Sequence, residues 1–171
     1  MGLFSPRYPA PADELMPVGA VDWHATSVHE AGHVVAAREV GLPVYEVWID
    51  QRKDHVVGRT EVAPNGGTVE GSADQEIILV LGGLEAEAIH RAQGRALPPY
   101  RDAVASTRVA RRGDVAALRD ALADPEASFT WSAAEAEVNR LLARRWQTVE
   151  RIASALRQKG HLSEAGIRRL V

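Results

Sequence analysis

The chain contains no cysteine. Disulfides and thiolate metal sites are thereby excluded together, so any bound metal must take its ligands from histidine and carboxylate side chains. The same absence suits a reducing compartment, and a cytoplasmic location is expected. Lysine is almost as scarce. The basic residues are nearly all arginines spread along the sequence, which leaves no basic stripe for nucleic acid. No apolar run approaches the ~20 residues of a membrane-spanning helix; the longest, 77–84, is far shorter. Residues 1–20 carry Pro6, Pro9, Pro11 and Pro17 and lack the apolar stretch of a secretory signal. Pro6 also stands where acylation at Gly2 would need Ser or Thr. The glycine-rich stretch at 63–72 has no lysine after its glycines, so a phosphate-binding loop is not expected there or elsewhere.

What is present fits one domain. With 171 residues, 46% of them hydrophobic, and a net charge of −3, the chain can build a single core. We expect an extended lead-in over 1–20 and one domain over 21–171, with no internal repeat. The expected class is mainly α (α+β): a helical domain with one small β-hairpin or sheet and a long C-terminal helix.

The pattern that organises the chain is His29-Glu30-Ala31-Gly32-His33. In a helix, residues four apart stand one above the other on one face, so His29 and His33 can offer two imidazole nitrogens to one ion. Glu30 leans toward the same side. Two imidazoles and a later carboxylate, with one position open, are the ligand set of catalytic Zn²⁺, and a neighbouring carboxylate can take a proton from its water. Val28, Ala31, Val34, Val35 and Ala37 make the surrounding helix too apolar to stand free in solvent. Gly32 costs a helix about 1 kcal/mol relative to alanine, which points to another element packed closely there.

The rest of the chain reads in order as follows. Asp22 caps a helix over Trp23–Val40, which Gly41 and Pro43 terminate. His24 falls on the far side of that helix, as a structural or exposed residue. Val44–Asp50 alternates as a strand, 51–54 turns, and His55–Val62 returns, with His55 a turn residue and Gly58 marking a bulge or a close backbone approach. A strand edge there could pair with an extended peptide, although an ordinary hairpin covering the core has the same pattern. Ser72 caps a helix over Ala73–Gln93. Within it, Glu85 and Glu87 are either metal ligands, acceptors for a ligating histidine, or one solvated and one half-buried carboxylate. Further helices are expected over Arg101–Arg112, from Gly113-Asp114 to Leu122, and over Ser132–Lys159. Val138, Leu141, Leu142, Val149, Ile152 and Leu156 form the apolar stripe of the last of these. Gly160 ends it, and a short helix from Ser163 closes the chain.

The order His29-Glu30-Ala31-Gly32-His33, hairpin, then Leu81-Gly82-Gly83-Leu84-Glu85-Ala86-Glu87 resembles the peptidase domain of FtsH-type zinc metalloproteases, over Trp23–Val171. That family shows HEAGH, an LGGxxAE helix, an Asp at a later helix start and a helical C-terminal part. The resemblance implies a zincin-like zinc endopeptidase with His29 and His33 as ligands and Glu30 as general base. It also implies an Asp as third ligand. Asp114 follows a glycine at a helix start and has the downstream helices of small stand-alone relatives; Asp102 lies closer to the family's spacing. We favour Asp114. Either aspartate has a helix N-cap as its alternative role.

Ala88 departs from the second Glu of the family's LGGxxAEE, and neither a membrane anchor nor an AAA+ ATPase is expected here. The implied activity is therefore ATP-independent cleavage of peptides or unfolded chains, with a separate unfoldase or a homo-oligomer as possible partners. A second reading is an inactive zinc-binding regulatory or interaction module of the same fold. A third is a helical scaffold in which the motif is a remnant.

Overall fold

The computed structural model describes residues 23–52, 55–63, 71–92 and 111–171. Its architecture is mainly helical α+β. In chain order the elements are α1 (Trp23–Glu39), β1 (Glu46–Arg52), β2 (His55–Glu61), α2 (Ala73–Arg91), α3 (Arg112–Leu122), α4 (Trp131–Lys159), β3 (His161–Ser163) and α5 (Glu164–Arg168).

Helix α1 lies at the centre. Every residue from Ala25 to Ala37 is buried, because α2 and α4 pack against it along with the β1–β2 hairpin. It ends in a Schellman turn: Gly41 adopts φ +80, Leu42 N–H donates to the Ala37 carbonyl at 2.8 Å, and Gly41 N–H donates to Arg38 at 3.2 Å. Only a residue without a Cβ takes that φ cheaply, and the buried Leu42 then turns the chain back toward the core. Helix α2 begins in a capping box, with Ser72 Oγ accepting from Gln75 N–H and Gln75 Oε1 accepting from Ser72 N–H. Gln75 Nε2 also donates to the Val40 carbonyl at 2.8 Å, which ties the start of α2 to the end of α1.

The two central helices cross backbone to backbone. A Cβ on Gly32 would run into the Gly82 carbonyl oxygen and Ala86 Cβ, and one on Gly82 would meet Ala36 Cβ and the Gly32 carbonyl oxygen. Gly82→Ala tests this crossing. An exposed helical Gly→Ala would gain up to about 1 kcal/mol. Here overpacking reverses the sign, with an expected loss of about 1–3 kcal/mol in chemical denaturation. A rise in stability would contradict the close crossing.

The sheet is antiparallel in the order β2-β1-β3, with Ile49 opposite Gly58 and Val47 opposite both Thr60 and Leu162. Gly58 therefore sits in register, as a close approach and not a bulge. On α4, Ala134, Val138, Leu141, Leu142, Trp146, Val149, Ile152, Ala153 and Leu156 form the buried stripe, and Gly160 at φ +70 ends the helix.

Several boundaries differ from the sequence expectation. Strand β1 starts at Glu46 and runs to Arg52, and α4 starts at Trp131 behind a Thr130 cap. The closing segment is not helical throughout: 161–163 is a strand, because Leu162 pairs with Val47, and only Glu164–Arg168 is helical behind a Ser163 cap. The expected Asp22 cap, the lead-in 1–20, the centre of the 63–72 loop, the 94–100 turn and most of the 101–112 helix lie outside the described residues. Among the described residues no helix is long and apolar enough to cross a membrane.

Candidate metal centre

Helix α1 places His29 and His33 one turn apart, with ring centroids 4.5 Å apart and planes nearly perpendicular at 89°. Their Nε2 atoms face each other at 3.0 Å. Asp114, in the first turn of α3, brings Oδ2 to 3.0 Å from His29 Nε2. The three donor atoms all lie within 4.8 Å of one another. Helix α3 is held for this by Val115, Leu118 and Ala121, which are buried as it packs on α2.

The outer nitrogens explain why the inner ones converge. His33 Nδ1 lies 2.9 Å from the Leu79 carbonyl oxygen. A carbonyl only accepts, so Nδ1 carries the proton and Nε2 turns its lone pair inward. His29 Nδ1 faces Glu87 Oε2 at 3.1 Å, a contact not well enough aligned for a full hydrogen bond. A carboxylate only accepts, but Asp114 Oδ2 at 3.0 Å sets the same condition on Nε2. His29 therefore either carries a proton on both nitrogens or keeps Nδ1–H toward Glu87 and gives its Nε2 lone pair to a cation. Two buried imidazole nitrogens and a partly exposed carboxylate oxygen thus converge, an arrangement that needs a cation or a proton among them. These residues fit a metal ion: the set is nitrogen, nitrogen and oxygen, with outer-shell acceptors fixing both rings. Gly83 makes room for the His33 ring, which a Cβ there would strike.

The surrounding charges favour a positive charge at His29. Burial alone would push the His29 imidazole down, but the Asp114 and Glu87 carboxylates outweigh it and raise it to about 9. His33 is pushed below its usual value by burial and by the neighbouring His29 charge. Burial would raise Glu87, yet His29, Arg111 and Arg91 hold its carboxyl down to about 2. Asp114 is also lowered: burial opposes this, and the two histidines prevail.

Glu30 is buried beside His29, and its Oε2 accepts from the Thr60 hydroxyl at 2.8 Å. The same hydroxyl lies 3.2 Å from the Glu30 backbone carbonyl. Gly58 underlies this carboxylate, where a Cβ would collide with it.

The other candidates sort themselves by position. Glu87 is the acceptor behind His29 and also takes Arg91 and Arg111. Glu85 accepts from Asn139 Nδ2 at 3.2 Å and is not in the converging group. Both are buried, which corrects the expectation of one solvated and one half-buried carboxylate: α2 is covered on several sides, and each acid finds polar partners. Asp114 is not a helix N-cap, because α3 starts at Arg112 and Arg111 precedes it without a side-chain cap. Asp102 lies outside the described residues. The His24 ring rests against His90 with centroids 4.1 Å apart. Sequence reasoning missed Thr60, the Leu79 carbonyl, Arg111 and Thr26. The i,i+4 spacing of Glu87 and Arg91 was a readable signal; for the others the contacts are tertiary and left none.

The chain matches no family model and no curated protein.

Proposed function

We propose that this chain is a zinc-dependent metallopeptidase of the FtsH-like type, an endopeptidase acting without ATP on peptides or unfolded protein segments. The observation that carries this reading is the convergence of His29, His33 and Asp114 with Glu30 adjacent on the same helix. Two imidazoles and a carboxylate, with thiolates excluded by composition, suit Zn²⁺. His29, His33 and Asp114 would hold it.

When bound, zinc supplies a Lewis acid that brings the pKa of its water toward ~7 and polarises a carbonyl. The chain's own part is proton handling. Glu30 takes a proton from the attacking water as its oxygen bonds to the carbonyl carbon, and delivers it to the amine nitrogen as the C–N bond breaks. Thr60 holds Oε2 of that carboxylate in one orientation, and the buried surroundings exclude bulk water. Asp114 is one-third exposed (33%) while the His29 side chain is not (2%), so a substrate reaches the group from the Asp114 side. A cytoplasmic setting, and unfolded substrate handed over by a separate unfoldase or within a homo-oligomer, belong to the same proposal.

The test is hydrolysis of an intrinsically unfolded substrate such as casein by the zinc-loaded protein. Cleavage should stop on chelation and return on adding zinc. A zinc-loaded protein that cleaves no unstructured substrate would overturn the peptidase reading and leave an inactive zinc-binding module.

A further inference from the structure

Glu87 is a fully buried carboxylate, and its two oxygens are used differently. Arg91, one turn along α2, takes Oε1 with Nε at 2.8 Å and Nη2 at 2.6 Å. Oε2 accepts from Arg111 Nε at 2.7 Å and is the same oxygen that faces His29 Nδ1 at 3.1 Å. Arg111 reaches further. Its Nη2 donates to Thr26 Oγ1 at 3.0 Å, on α1 and one turn before His29. Arg111 stands just ahead of α3 with a non-helical backbone (φ −107, ψ 52), so its side chain crosses back toward α1. Asp114 follows one helical turn later and presents Oδ2 to the other nitrogen of His29.

A closed ring of contacts results: Thr26 and His29 on α1, Glu87 on α2, Arg111 and Asp114 at the start of α3. Helix α3 packs on α2, and its first turn has no side-chain cap. Packing on α2 fixes where α3 lies; Arg111 ties its start to the helix that carries both histidines.

We propose that Arg111 is a positioning residue for the metal centre, clasping the start of α3 to Thr26 and Glu87 and so setting where Asp114 stands relative to His29 and His33. This rests on the metal-centre reading above. The clasp uses the guanidinium as a fork with two donors aimed at different helices, which a lysine ammonium on its single stem does not reproduce. That separates the clasp from mere neutralisation of Glu87, a task lysine would perform.

The experiment measures zinc dissociation constants by chelator competition, and the visible spectrum of bound Co²⁺, for wild type, Arg111→Lys, Arg111→Gln and Arg91→Gln. Both Arg111 variants should bind zinc about 10–100-fold more weakly, the scale of lost outer-shell support. Their Co²⁺ spectra should lose the intensity of a four-coordinate centre as Asp114 drifts out. Arg91→Gln should weaken binding by less than about fivefold, as suits a partly exposed ion pair. Wild-type affinity and spectrum in Arg111→Lys would overturn the clasp while leaving the metal site standing. No zinc uptake by wild type would overturn both. If the Arg111 variants do not unfold cooperatively, Thr26→Val decides: it removes one hydroxyl, and unchanged zinc affinity there overturns the proposal.

Discussion

Glu30→Gln is expected to abolish peptide hydrolysis while zinc stays bound. The amide keeps the shape of the carboxylate and can still accept from Thr60, so the packing over Gly58 is preserved. What it loses is the ability to take a proton. General acid–base assistance is worth about 10²–10⁴-fold, and a fall in kcat of at least that size is expected. The measurement pairs kcat and KM on an unfolded substrate with metal content of the same preparation. Full activity in the zinc-loaded variant would show that Glu30 is not the base.

His33→Ala should remove the metal altogether. It deletes one of three converging donors, so the loss of affinity should exceed the ~10–100-fold typical of outer-shell partners. It also removes the imidazole that lies 2.9 Å from the Leu79 carbonyl, a part-buried contact worth about 0.5–1.5 kcal/mol in stability. The two effects are separable. Circular dichroism and denaturant unfolding report the fold, and chelator competition reports the metal. A folded His33→Ala protein that retains wild-type zinc affinity would place the ion elsewhere.

Much of the centre was legible because it is local. The i,i+4 histidines, the glycine stop at Gly41, the Ser72 cap and the apolar stripe of α4 each follow from local helix geometry. Gly32 was readable as a close approach, since glycine inside a helix is costly without one. The choice between Asp114 and Asp102 was not readable, because it depends on where α3 docks, far from His29 in sequence. The pairing of Glu87 with Arg111 was hidden for the same reason, since the two residues stand 24 positions apart. Strand β3 is too short to show a period and exists only through its pairing with β1.

The central claim is that His29, His33 and Asp114 hold one zinc ion. Elemental analysis of wild type, Asp114→Ala and Asp102→Ala, purified without added metal, tests it most directly. We predict about one zinc per chain in wild type and in Asp102→Ala, and essentially none in Asp114→Ala. A wild type that carries no zinc and takes up none on titration would contradict the claim.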